Sequence, residues 1–131
     1  MAKNRIDELC EKLIRKCGSC DPFEIAAMLG VLIEYDQMGS LKGYYSYMNR
    51  CRLIVINENL PERVKCVVCA HELGHDRLHY DMARVSPLRD NGLFSVAKPE
   101  IEANRFAANL LVPTSAFLEL ASYEYIDEQI A

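Results

Sequence analysis

The sequence contains no long apolar run, no export signal and no basic cluster, and each absence excludes a class of protein. No segment approaches the roughly 18 apolar residues that a transmembrane helix needs, and charges interrupt every apolar run of the N-terminal stretch "MAKNRIDELCEKLIRKC", unlike a signal peptide. Acidic residues outnumber basic ones, with a net charge of −4, which argues against direct nucleic-acid binding. We therefore expect a cytoplasmic protein that has no membrane and no nucleic acid among its partners.

The six cysteines do not follow the spacing of a metal-binding ribbon. Two C-x-x-C pairs occur, Cys17/Cys20 and Cys66/Cys69, but they lie much farther apart than in a zinc ribbon. In a reducing compartment we expect all six to be thiols. Cys66 and Cys69 also lie roughly 140–160° around a helix from His71, so we expect them to pack against apolar neighbours rather than bind a metal.

The chain also lacks internal repeats and low-complexity segments, and its 131 residues suit one domain with a real core. Helical spacing, proline and glycine signals, and two β-rich runs predict an α+β fold, in which a small, mostly antiparallel sheet packs on helices. The predicted order over 1–131 is N-terminal helices at 5–30, a sheet at 31–57, a helix at 61–79, a loop at 80–98 with one short helical turn, a helix at 99–112, and a C-terminal helix and tail at 113–131.

Histidine is scarce, and all three histidines fall in "CVVCAHELGHDRLHY", residues 66–80. His71 and His75 are four residues apart, so on a helix both imidazoles lie on one face and can hold one zinc ion. A catalytic zinc keeps an open position where bound water acidifies to a pKa near 7. Glu72 can take the proton of that water as general base and deliver it to the leaving amine.

The surroundings of this motif separate it from a chance match on a polar surface helix. The preceding "CVVCA" is apolar, which predicts a buried helix, and buried histidines need partners. Gly74 costs a helix roughly 1 kcal/mol relative to alanine. A closely packed neighbour or a bound metal ion would explain why a glycine stands at this helix position.

The third ligand has several candidates. His79 lies two turns from His71, too far for the same tetrahedral site, and is better read as a group that supports a ligand, faces substrate or caps the helix. Asp81 stands where a metzincin has its third histidine, but the glycine turn of that pattern is missing. Glu100 and Glu102 remain, on the next helix, and helical phase leaves the choice between them open.

Three stretches together resemble the ImmA/IrrE family of zinc metallopeptidases: "DPFEIAAMLGV", "LIVINENLPERVKCVVCAHELGHDRLH" and "EIEANRFAANLLVP". They span roughly residues 20–115 in the order found in that family. The resemblance implies a zincin-like fold, with an active-site helix followed by a glutamate-bearing helix. It also implies His71, His75 and Glu102, the glutamate of "EAN", as Zn²⁺ ligands, and Glu72 as the catalytic acid/base.

The sequence departs from thermolysin-like enzymes at one position. Four residues after Glu102 stands Phe106, where those enzymes have an aspartate that orients a zinc-binding histidine. Asn104 and Asn109 are the candidates for an equivalent hydrogen bond.

The resemblance further implies a cytoplasmic, site-specific endopeptidase that cleaves a helix-turn-helix repressor, as anti-repressors of prophages and other mobile elements do. The chain ends soon after "LLVP", which fits the compact mobile-element type. One alternative is a non-proteolytic metal-binding regulator that sequesters the repressor, but Glu72 would then have no role. A structural zinc domain is a third hypothesis, disfavoured by the open coordination position.

The apolar run "RLIVI", at 52–56, precedes the motif helix and has two interpretations. As an edge strand it would hold an extended substrate by β-addition. As a central strand it would belong to the core, and its composition suits both roles equally.

Overall fold

A computed structural model describes residues 4–83, 88–89 and 97–111 of the chain. The helices and strands, in chain order, are α1 (Arg5–Cys17), α2 (Pro22–Leu29), β1 (Leu32–Asp36), β2 (Gly43–Met48), β3 (Cys51–Asn57), α3 (Glu62–Leu78), α4 (Tyr80–Ala83), β4 (Leu88–Arg89) and α5 (Lys98–Leu111). The predicted loop at 80–98 thus contains α4 and the short β4. The C-terminal helix and tail predicted at 113–131 lie outside the described residues.

The two N-terminal helices begin and end at the residues that local chemistry favours. The side chains of Asn4 and Asp21 accept hydrogen bonds from backbone N–H groups in the first turns of α1 and α2, and Pro22 occupies the start of α2. Gly18 and Gly30 end the helices, each with φ of 78°. These left-handed caps let the chain reverse twice before it enters the sheet.

The sheet is mixed, with strand order β1-β3-β2-β4. β2 and β3 form an antiparallel hairpin, and the tight turn between them places Asn49 and Arg50 at positive φ of 53° and 64°, as a type I′ turn requires. β1 pairs with β3 in parallel, and β4 pairs with β2 antiparallel. The α+β class is confirmed, and the sheet contains the parallel pair that strand composition does not reveal.

β3 is a central strand of this sheet. It is hydrogen-bonded to β1 on one side and to β2 on the other, and Ile54, Val55 and Ile56 are all buried. Because both backbone edges of β3 are already paired, the edge-strand interpretation of "RLIVI" is wrong, and this strand cannot hold a substrate by β-addition.

α3 lies in the middle of the described structure, and its burial is almost continuous. Every residue from Val67 to Asp76 is buried, because α2 and α5, together with β2 and β3, all contact this helix. Nowhere in the described chain is a helix both long and apolar enough to cross a membrane. The apolar residues of α3 therefore serve the core.

A buried carboxylate fixes the C-terminal half of α3 to the sheet. The side chain of Asp76 is fully buried and accepts a hydrogen bond from the Tyr45 hydroxyl at 2.6 Å. Arg52 pairs with Asp76 at 3.1 Å and also donates to the Leu29 carbonyl oxygen. Arg77 adds a second ion pair at 2.8 Å. One carboxylate thereby links α3 to β2 and β3, and through Arg52 to the end of α2.

All six cysteines are free in the structure. Burial raises the pKa of Cys10 to about 12 and that of Cys66 to about 11, and it also raises the pKa of Cys69. These three groups are therefore neutral thiols at neutral pH, which makes them poor nucleophiles and poor metal ligands.

The hydrogen bond between Tyr45 and Asp76 generates a prediction about stability. Tyr45→Phe removes only the hydroxyl that donates to the buried carboxylate, so we expect unfolding to become easier by about 1.5–3 kcal/mol, the range for a hydrogen bond to a charged group. Urea denaturation measures the difference. Tyr44→Phe is the matched control, because it makes the same change at the neighbouring position of β2. Equal losses in the two variants would contradict the role given to Asp76.

Candidate metal and catalytic site

Three of the buried polar side chains of α3, those of His71, Glu72 and His75, lie close together. Their possible ligand atoms all lie within 4.8 Å of one another. The two imidazole rings are nearly perpendicular, with centroids 4.9 Å apart. The helical spacing therefore brings the predicted motif residues into one small cluster.

The carboxylate of Glu100, on α5, lies between the two imidazoles. Its Oε2 is 2.7 Å from Nε2 of His71, and its Oε1 is 3.1 Å from Nε2 of His75. Burial opposes ionisation of Glu100, but the contacts with His71 and His75 outweigh it and lower its pKa to about 2. A buried, ionised carboxylate thus faces both rings.

Glu102 lies elsewhere, and the expectation that it meets His71 and His75 needs correction. Its Oε1 is 2.9 Å from Nε2 of His79, and its Oε2 is 3.7 Å from Arg5. Side chains two positions apart on a helix point in directions that differ by roughly 200°, so Glu100 and Glu102 cannot face the same point. Packing of α5 directs Glu100 to the two imidazoles.

A signal for Glu100 was present in the sequence. Glu100 stands three residues before Ala103 and seven before Ala107, and both alanines belong to an apolar stripe at helical spacing. Positions with this spacing share one helix face. Glu100 extends the buried stripe, whereas Glu102 lies beside it and is a quarter exposed.

Asn104 orients the first histidine. Its Oδ1 lies 2.7 Å from Nδ1 of His71, and because an amide oxygen only accepts, the Nδ1–H of His71 donates. Asn104 follows Glu100 by four residues, so one face of α5 supplies both contacts. The other candidate, Asn109, donates instead to the carbonyl of Arg105.

His79 lies beside the second histidine of the cluster. It is buried, and its Nδ1 lies 2.8 Å from Nδ1 of His75. Asp81, the other candidate, is exposed on α4. Burial lowers the pKa of His75, which favours a neutral ring that can act as a ligand.

The donor set fits a divalent metal ion. Because Nδ1–H of His71 donates to Asn104, Nε2 is the nitrogen that faces Glu100 and that a metal ion would bind in place of a proton. Within the described structure, Nε2 of His75 is buried and has no hydrogen bond of suitable geometry, although it faces the same carboxylate. Two imidazole nitrogens and one carboxylate are a donor set typical of zinc in hydrolytic sites.

Gly74 explains how α5 comes close enough to deliver Glu100. A Cβ added at Gly74 would lie 3.1 Å from Cβ of Phe106 and 3.2 Å from Cα of Ala103. Both are atoms at or next to the backbone of α5, so they move only if the helix moves. The glycine that costs α3 helical stability permits the close packing of the two helices.

Two comparisons place the chain among known proteins. Residues 26–131 match the family model Peptidase_M78, described as the IrrE N-terminal-like domain. The chain is also 36% identical over 122 residues to "Uncharacterized immunity region protein 2" of Bacillus phage phi105, an alignment that covers 92% of this chain and 77% of that protein. The family match includes α3 and α5 and therefore every residue of the cluster.

The packing at Gly74 generates the second prediction. Alanine has the higher helix propensity, by about 1 kcal/mol, but overpacking costs about 1–3 kcal/mol, so we expect Gly74→Ala to destabilise the protein by about 1 kcal/mol. We also expect weaker binding of a divalent metal ion by the cluster, because α5 must shift with Glu100. Urea denaturation and metal titration measure the two effects.

The control for Gly74→Ala is the pair Lys12→Gly and Lys12→Ala, at an exposed position of α1. The difference between these two variants measures helix propensity without a packing neighbour. A Gly74→Ala protein that is more stable by this same difference would show that α3 and α5 are not in tight contact.

Proposed function

The chain belongs to the Peptidase_M78 family of IrrE-like proteins, and we propose that it is a zinc-dependent, site-specific endopeptidase with a zincin-type site. The observation that carries the proposal is the meeting of His71, His75 and Glu100 in one buried cluster, with Glu72 beside them. Burying two carboxylates beside two imidazoles costs desolvation free energy, and a bound cation would offset part of that cost.

We assign His71, His75 and Glu100 as the residues that would hold Zn²⁺. The two histidines would bind through Nε2, the atoms that face Glu100. Glu100 replaces Glu102 in the set implied by the sequence resemblance. The position of Asn104 supports this choice, because four residues after Glu100 it makes the contact to His71 that an aspartate makes in thermolysin-like enzymes.

Glu72 is the proposed general base and acid. It has no measurable exposure and lies within the cluster, at the edge of the helix face that carries the histidines. When bound, zinc would polarise water and the scissile carbonyl. Glu72 accepts the proton of the attacking water while the new C–O bond forms, and it gives this proton to the amine nitrogen as the C–N bond breaks.

The proposed substrate is a helix-turn-helix repressor, cleaved in the cytoplasm. The name of the phage relative assigns that protein to an immunity region, and the family resemblance implies anti-repressors that act on such regulators. The net charge of −4 suits a protein substrate better than the DNA to which the repressor binds. We therefore expect the repressor gene beside the gene of this protein.

The ligand assignment generates the third prediction. Glu100→Gln should lose tight zinc binding, because a neutral amide is a much weaker ligand than a carboxylate, whereas Glu102→Gln should keep it. Metal analysis after dialysis against a weak chelator compares the two variants with the wild type. The control is closely matched, since both changes are isosteric and lie on α5. Retention by Glu100→Gln and loss by Glu102→Gln would reverse the assignment.

The role of Glu72 generates the fourth prediction. Glu72→Gln removes the proton-accepting oxygen and keeps size, so we expect zinc and repressor binding to persist while the cleavage rate falls by about 10⁴-fold or more, the upper end for acid–base groups. Mass spectrometry of the repressor after incubation with each protein follows the fragments.

The same experiment separates cleavage from sequestration. A wild-type protein that cuts one bond of the repressor, beside a Glu72→Gln protein that binds it intact, supports the peptidase. Relief of repression in cells by both proteins, with the repressor uncut in both cases, would establish the non-proteolytic regulator instead.

A further inference from the structure

A row of three side chains leads away from Nε2 of His75 to the surface of α5. Nδ1 of His75 lies 2.8 Å from Nδ1 of His79, and Nε2 of His79 lies 2.9 Å from Oε1 of Glu102. His75 and His79 are buried, whereas Glu102 is a quarter exposed. Two buried rings are thus connected in series to a carboxylate at the protein surface.

The chemistry of the three groups determines where the protons lie. An ionised carboxylate only accepts, so Nε2 of His79 must carry the hydrogen that it donates to Glu102. A neutral His79 then has its lone pair on Nδ1, and this atom can only accept. The hydrogen between the two rings therefore belongs to Nδ1 of His75, so Nε2, which faces Glu100, is the nitrogen that can give up its proton and bind a metal ion.

Helix capping does not explain the side chain of His79. The backbone N–H of His79 already donates to the carbonyl of His75 at 2.8 Å, and both ring nitrogens of His79 contact side chains rather than the free carbonyls at the end of α3. The imidazole instead extends from the end of α3 to Glu102 on α5. Its two ring nitrogens have two different partners, one on each helix.

We propose that His79 and Glu102 form a positioning pair that holds His75 in the tautomer with an unprotonated Nε2, ready to bind the metal. This inference rests on the proposed function, since it assigns the pair a purpose in zinc binding. Neither residue touches the metal or the substrate in this scheme. His79 orients the ligand directly, and Glu102 acts through His79.

The metal-free wild-type protein provides the first test, because the tautomer can be read without zinc. Nitrogen-15 NMR of the histidine side chains at neutral pH should show His75 protonated at Nδ1 and His79 protonated at Nε2. The opposite tautomer of His75 would overturn the proposal. This result does not depend on whether the protein binds zinc or cleaves anything.

Zinc affinity, measured by competition with a chromogenic chelator, provides the second test. His79→Phe keeps an aromatic ring but removes the acceptor, and Glu102→Ala removes the partner of His79, so both should weaken zinc binding by about 10–100-fold. His79→Asn and Glu102→Gln each retain an oxygen that can accept the hydrogen bond. We expect these conservative variants to bind zinc nearly as tightly as the wild type.

Arg5→Ala is the control for the other contact of Glu102. Arg5 lies 3.7 Å from Oε2 of Glu102 and is largely exposed, so its loss should leave zinc affinity unchanged. If Arg5→Ala weakens zinc binding as much as Glu102→Ala does, Glu102 serves the docking of α1 on α5 and the proposal fails.

The outcomes distinguish this inference from the proposed function. A wild-type protein that binds zinc tightly, with affinity unchanged in His79→Phe and Glu102→Ala, would reject the positioning pair and leave the metal site intact. A wild-type protein without zinc affinity would reject the metal site, and the NMR result would still decide whether the pair fixes the tautomer of His75.

Discussion

The close contact of α3 with α5 at Gly74 is the constraint on which the site depends. A Cβ at this position would come within 3.2 Å of Cα of Ala103, so only glycine lets the two helices lie this near each other without a shift. Glutamate side chains are short relative to the diameter of a helix. The carboxylate of Glu100 reaches both imidazoles of α3 because the two backbones are close.

Three residues of α5 then act on α3 through this contact. Glu100 faces both imidazoles, Asn104 accepts from His71, and Glu102 bonds to His79 beside His75. A single helix therefore contributes the proposed carboxylate ligand and hydrogen-bond partners for His71 and His79. On the opposite side, Asp76 links α3 to the sheet through Tyr45 and Arg52. Polar contacts thus fix α3 on two sides, and they hold the imidazoles of His71 and His75 in defined orientations.

This arrangement also explains the unusual burial of α3. A helix that is buried on nearly all sides usually carries apolar residues, yet here His71, Glu72, His75 and Asp76 are all buried. Each buried charge costs desolvation free energy. The contacts with α5 and with Arg52 and Arg77 offset part of this cost, and a bound cation would neutralise the charge of Glu100 beside the imidazoles.

Features that depend on neighbours along the chain could be predicted from the amino-acid sequence. The four-residue spacing of His71 and His75, the helix caps and the β2–β3 hairpin are local, because backbone geometry alone sets directions within one helix or one turn. The family resemblance identified the same helix and the peptidase class. The apolar stripe of α5 also favours Glu100, because its spacing from Ala103 is helical, although helical phase alone does not exclude Glu102.

How separate helices and strands meet follows from packing in three dimensions and could not be predicted from the sequence. The tertiary structure placed Glu100 at the imidazoles and Glu102 at His79, because the rotation and distance of α5 relative to α3 follow from packing at Gly74 and not from periodicity. The same holds for the sheet, in which β3 is central and β1 pairs with it in parallel. The apolar composition of a strand does not reveal whether one or both of its edges are paired. Local spacing defines which residues share a face, and packing between elements defines what that face meets.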